Sequence, residues 1–300
     1  MSAAATLLLS PGTTLAQQPP PPPEEYRHRV DVALVLVPAS VTTPDGRPVT
    51  WLERDAFEVY EEGELRPLKV FEKKTELPLQ LVLLIDSSLS TAGKLKQQKA
   101  AMVRFIRHVL RPQDAAALYE FSGGTRAVVD FSSDPRALKR GLDKIKAGAG
   151  TAIYDTLVEV SAALAEREGR RVLVLITDGN DTTSEKDFHA ALRAIQQAEA
   201  TVFALVVRPI PGESGRSVRG EHVLITFAET TGGRVFFPQR PAQLELFFEQ
   251  LSELLRTQYL LGFQPAPPGG RSEFRSIAVR VTEGNYLVRH RTGYYTEPRR

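Results

Sequence analysis

Apolar residues in the middle of the chain fall into short uninterrupted runs, separated by stretches in which they recur every third or fourth position. Runs at 79–85, 172–176 and 202–207 predict buried core strands, and 115–121, 127–131 and 235–237 predict further, less apolar ones. Between them, Ala101, Phe105, Ile106 and Val109 follow a helical period that Pro112 ends. A second helix opens at Asp134-Pro135, where proline suits the first turn. Others are predicted over 152–166, 185–198 and 243–256, the last with Leu244, Phe247, Phe248, Leu251 and Leu255 on one face. The polar, glycine-rich stretch 209–221 reads as a mobile loop. Such alternation predicts an α/β fold: a doubly wound, mostly parallel sheet with helices on both faces.

The flanks have a different grammar. Val32, Leu34 and Leu36 alternate as in a strand, Pro44-Asp45-Gly46 is a turn, and 57–60 and 68–71 are short strands. Strands at 259–263, 277–281 and 286–288, with a Pro/Gly-rich loop at 265–270, repeat that grammar near the other end. The two ends are therefore expected to meet in one small β-sandwich-like domain, 28–76 with 258–297, around a central domain at 77–257. Tyr294 and Tyr295 are read as strand packing rather than an adhesive tip.

Residues 1–16 read as a signal peptide, with an apolar run at 3–9 and small residues near 14–16, although Ser10, Pro11 and Gly12 shorten the run and no basic residue precedes it. Residues 17–27 read as a linker, because five consecutive prolines favour an extended, semi-rigid conformation. The expected location is the periplasm or outside the cell. No later stretch reaches the roughly 18 to 20 apolar residues of a membrane span.

Composition narrows the chemistry. Lys and Arg number 38 against 36 Asp and Glu, a balance that argues against nucleic acid as a partner. The basic group Arg289, His290, Arg291, Arg299 and Arg300 reads as a solvated face. With no cysteine there is no disulfide, thiol nucleophile or thiolate-bound metal. The five histidines, at 28, 108, 189, 222 and 290, lack partners at metal-ligand spacing and read as surface or locally bonded residues.

The candidate site begins where the most apolar strand ends. Asp86, Ser88 and Ser90 directly follow the run at 79–85, and doubly wound sheets bind ligands outside the carboxyl ends of their strands. Alternate residues of such a loop can turn three oxygens to one point, and hard divalent cations take oxygen ligands. Alone, an Asp-x-Ser-x-Ser string is as readily a turn or a cap. Two further features add to it: Gly148 to Thr151 bring a hydroxyl to the start of a helix, and Thr177-Asp178-Gly179 end the second core strand.

With DSSLS at 86–90, GAGTAIYDTL at 148–157 and LITDGND at 175–181, the chain resembles von Willebrand factor A (vWA) domains and their metal ion-dependent adhesion site. That resemblance implies hydroxyl ligands from Ser88, Ser90 and Thr151, and Asp86 and Asp178 bound directly or through water. Its expected metal is Mg2+, with Mn2+ or Ca2+ as alternatives, and its expected partner is a protein presenting Asp or Glu to the metal. Asp155 and Asp181 are read as bracing and capping residues. The flanks, VALVLVPASVTTPDGRPV, DAFEVYEEG, QYLLGF and GYY, resemble the subgroup called VWFA-related Acidobacteria domain proteins.

Two rival functions remain. In a magnesium phosphotransferase a phosphorylated Asp is followed two positions later by a second carboxylate acting as acid and base; here that position is Ser88, so an enzyme is not expected. No GxSxG, GxxxxGK[ST] or HExxH pattern occurs either. The other rival is a metal-independent structural or assembly subunit.

Overall fold

The computed structural model describes residues 34–296 apart from 92, 94, 208–217, 239, 241, 268 and 270. The readings of 1–16 as a signal peptide and 17–27 as a linker lie outside the described residues, as do Arg299 and Arg300.

Strands β1 (Val35–Thr42), β2 (Phe57–Glu61), β3 (Glu64–Arg66) and β4 (Leu68–Glu72) come first. The middle runs β5 (Leu79–Asp86), α1 (Leu95–Val109), β6 (Ala115–Phe121), β7 (Thr125–Ser132), α2 (Pro135–Lys144), α3 (Ile153–Ala165), β8 (Arg170–Thr177), α4 (Phe188–Gln197), β9 (Thr201–Val206), α5 (Val218–Thr231), β10 (Arg234–Phe236) and α6 (Ala242–Arg256). Strands β11 (Tyr259–Phe263), β12 (Phe274–Val281), β13 (Leu287–Arg289) and β14 (Gly293–Tyr295) close the chain.

The middle builds one six-stranded sheet in the order β10-β9-β8-β5-β6-β7, parallel except for the edge strand β7. All eight residues of β5 are buried because both of its faces are covered. Leu79, Leu81, Leu83 and Ile85 pack with apolar residues of α1, α2 and α6, while Val82 and Leu84 pack with those of α3, α4 and α5. Strict alternation along one strand thus seeds two separate cores. From β5 the chain moves to β6 on one side and later to β8 on the other, so strand order reverses at β5. The carboxyl end of β5 is therefore the place where a crevice opens.

The chain ends build two four-stranded antiparallel sheets, β13-β1-β11-β4 and β14-β12-β2-β3, that enclose a third core around Val37, Phe57, Tyr259 and Phe263. Tyr259 Oη donates to Val49 O (3.0 Å) and accepts from Leu52 N (3.1 Å), so its buried hydroxyl is satisfied while its ring packs against Phe57 and Phe71. Glu61, fully buried, ties the two chain ends together. Its carboxylate accepts from Tyr294 Oη (2.6 Å), Arg66 Nε (2.9 Å), Ala266 N (2.9 Å) and Arg275 Nη1 (3.3 Å). Burial pushes the Glu61 carboxyl up, but these bonds outweigh it and hold the group below the usual carboxylate range.

Buried Arg170 and Asp114 brace both crossings between the sandwich and the central sheet. Arg170 donates to Leu77 O (3.2 Å), Leu255 O (2.5 Å) and Gln258 Oε1 (3.0 Å); Asp114 accepts from Leu79 N (2.8 Å) and Arg256 Nη2 (3.1 Å). Burial lowers the Arg170 guanidinium to about 10.

Two expectations need correction. Residues 218–221 belong to the first turn of α5 rather than to a loop. The helix is driven by Leu224, Phe227 and Ala228, whose spacing buries one face, while Gly220 and its polar neighbours disguise the start. Arg291 is not solvated: it is 8% exposed, pairs with Glu199 at 2.6 Å and donates to Leu36 O, and Arg289 and His290 are half-buried. Thr292 N donates to Thr230 O (2.9 Å), which tucks this segment against the end of α5.

Candidate metal centre

Asp86 is the last residue of β5 and is fully buried. Its Oδ2 accepts from Thr177 Oγ1 at the end of the adjacent strand β8 (2.6 Å), and its Oδ1 accepts from the amide of Ser88 (2.9 Å). Thr91 Oγ1 donates back to Asp86 O (2.8 Å) and to Ser88 O (3.0 Å), closing the loop into a compact turn. Ser88 Oγ lies 3.0 Å from Ser90 Oγ, and Ser90 Oγ donates to Asp178 Oδ2 at 2.6 Å. Asp86, Ser88, Ser90 and Asp178 thus form one cluster.

Thr151 reaches the same place by its backbone. Gly148 N donates to Ser87 O (2.8 Å), and Ser88 and Gly148 form an isolated parallel bridge, so the 148–151 loop lies along the 86–90 loop. Thr151 O accepts from Thr182 N (2.8 Å), joining it to the segment after β8. The residue is 4% exposed and its Oγ1 makes no hydrogen bond among the described residues. Among the described residues no side-chain hydrogen bond joins it to the other four. Gly150 takes a φ of +77°, and a Cβ there would lie 3.0 Å from Gly123 Cα, so a side chain just before Thr151 would strain the backbone and crowd the loop.

Asp155 and Asp181 brace the site, as expected. Asp181 Oδ1 accepts from Ile153 N (2.7 Å) and Ser184 Oγ (2.6 Å), which satisfies the first turn of α3. Asp155 accepts from Glu185 N (2.9 Å) and Lys186 N (2.7 Å). The sequence placed Thr177 at the end of the second core strand but gave it no role; the structure gives it the orienting bond to Asp86.

Burial pushes the Asp86 carboxyl above its ordinary range, and the nearby charge of Asp178 adds to this against hydrogen bonds from Ser88 and Thr177. Among the described residues no basic side chain pairs with Asp86 or Asp178. Two neighbouring carboxylates with no basic partner among the described residues, beside the hydroxyls of Ser88 and Ser90, are a donor set that fits a hard divalent ion. Among the described residues no group of three or more His, Cys, Asp or Glu could hold a metal; this cluster contains only two such residues, and its other oxygens are hydroxyls.

A family model described as von Willebrand factor type A domain matches residues 81–180, from inside β5 to just beyond Asp178. The chain contains a vWA domain. Among solved structures, proximal thread matrix protein 1 from the mussel byssus is similar with a TM-score of 0.50 and 16% identity, covering 65% of this chain and 51% of that one. A mutant of the PilB minor pilin from Streptococcus sanguinis has a TM-score of 0.50 and 10% identity, covering 61% and 62%. A von Willebrand factor type A structure from Catenulispora acidiphila gives 0.49 and 12%, covering 87% and 73%. Similarity to the first two extends to the fold alone. No curated protein matches the chain. Within the vWA domain and the sandwich, no helix among the described residues is long and apolar enough to cross a membrane.

Proposed function

We propose that the chain is a protein-binding module whose binding face is the carboxyl end of the central sheet, and that a divalent metal, Mg2+ first among the candidates and Mn2+ or Ca2+ after it, takes part in the contact. The observation that carries this reading is the meeting of Asp86, Ser88, Ser90 and Asp178 from two separate strand ends in one hydrogen-bonded cluster. Asp86, Ser88, Ser90, Thr151 and Asp178 would hold the ion. When bound, it supplies positive charge and a place for a partner's Asp or Glu carboxylate. Asp86 and Asp178 offset that charge, the neutral hydroxyls leave room for one more anionic donor, and Thr177 orients Asp86. Ser88, where a phosphotransferase would need a carboxylate, argues for binding without catalysis.

A second reading, a metal-independent assembly subunit, is favoured by a specific observation. The Ser90 to Asp178 and Thr177 to Asp86 bonds satisfy much of the cluster without an ion. The family match by itself supports an interaction domain and no more. Recovering partners with the immobilised chain, from envelope and secreted fractions in Mg2+ or in chelator, separates the two. Recovery of a partner only in Mg2+ supports the metal-bridged contact; equal recovery of the same partner in chelator supports the assembly subunit.

A further inference from the structure

A hollow of about 970 Å3 lies between the starts of α3, α4 and α5. Its floor is apolar and firmly held: Phe188 stacks on Phe227 (5.1 Å between centroids), and Tyr154 meets the same ring edge-on (6.4 Å). Val218, 66% exposed, extends this apolar surface to the rim. The rim is otherwise basic, with Lys186, Arg219, His189 and His222. Asp187, its one carboxylate among the described residues, is engaged in capping α4 through Ala190 N (2.8 Å).

Lys186 and Arg219 have no ion-pair partner among the described residues. The elements that line the hollow also carry or touch residues beside the cluster. Tyr154 lies three residues beyond Thr151, and Gly179, next to Asp178, packs so closely on the first turn of α5 that a Cβ there would lie 3.1 Å from Gly220 C.

We infer that the hollow is a docking groove for an acidic segment of a partner protein, with an apolar or aromatic anchor flanked by Asp or Glu; the inference rests on reading the carboxyl end of the sheet as the binding face. The anchor occupies the surface of Tyr154, Phe188 and Val218, and its acidic flanks meet Lys186 and Arg219. Complementary charge of this kind sets partner choice and speeds encounter more than it adds contact area.

The test is fluorescence anisotropy with a labelled Glu-Asp-Phe-Asp-Glu peptide and its Gln-Asn-Phe-Asn-Gln counterpart, using the full chain in Mg2+ and in chelator. The acidic peptide is expected to bind saturably, and a Lys186→Glu/Arg219→Glu variant to bind it about tenfold or more weakly. Both positions are exposed, so the variant is expected to fold, which circular dichroism verifies. No saturable binding, equal binding of the neutral peptide, or equal affinity in the double variant overturns the groove. Loss of binding in chelator with no effect of the double variant also overturns it, while leaving the metal reading in place. A weakened double variant whose parent binds equally well in chelator supports the groove and removes the metal from the contact.

Discussion

Thr177 Oγ1 donates to Asp86 Oδ2 at 2.6 Å, joining the carboxyl ends of two adjacent parallel strands inside a buried site. Thr177 holds the carboxylate in one orientation without being a candidate ligand. Groups of this kind commonly change metal affinity by about 10- to 100-fold when removed. Thr177→Val is expected to weaken Mg2+ binding in that range, measured by calorimetry, while the fold persists. Unchanged affinity would show that Asp86 is oriented by other means.

The Glu61 network makes a prediction about the sandwich. Replacing Glu61 by Gln removes the buried anion of Arg66 and leaves Arg275 only its pair with Glu273, at an expected cost of about 1 to 3 kcal/mol. Urea unfolding of Glu61→Gln should show a loss of that size. A loss below about 1 kcal/mol, typical of an exposed pair, would show that the network does not hold the chain ends together.

Tyr259 contributes both a ring and a hydroxyl to the same core. Tyr259→Phe retains the ring contacts but leaves Val49 O and Leu52 N without their partner, at an expected cost of about 1 to 3 kcal/mol by denaturant unfolding. A neutral substitution would imply that water replaces the hydroxyl.

These cases show why the sequence was legible in some places and opaque in others. The central strand β5 could be read because burial on both faces leaves an apolar run broken only by Gln80, and Asp86, Ser88 and Ser90 stood out at its end. Asp178 could be placed for the same reason at the end of β8. Glu61 could not, because in EVYEEGELR it looks like one more charge at a turn, and its partners Arg275 and Tyr294 lie more than two hundred residues away. Arg291 was hidden likewise, since a basic segment gives no sign that strand pairing will bury it. Contacts distant in sequence carry no local period, which is why the role of Glu61 went unread and Arg291 was misread.

His290 predicts a pH response. Its Nε2 accepts from Val279 N (3.1 Å), its Nδ1–H donates to Arg291 O (2.7 Å), and burial lowers its pKa below the ordinary 6.5. A base with a depressed folded-state pKa contributes stability that is complete above its unfolded value and lost as pH falls below it. The melting temperature should therefore decline from pH 7.5 to pH 5, and His290→Asn should flatten that slope. Identical slopes in the two proteins would remove His290 as the cause.

The most direct test of the central claim is thermal melting of the parent chain and of Asp86→Ala, each in Mg2+ and in chelator. A site filled at about one hundred times its Kd stabilises the folded state by about 2.7 kcal/mol, enough to raise the parent's Tm measurably. The account predicts that rise in the parent and none in Asp86→Ala; no rise in the parent, or the same rise in the variant, would contradict it.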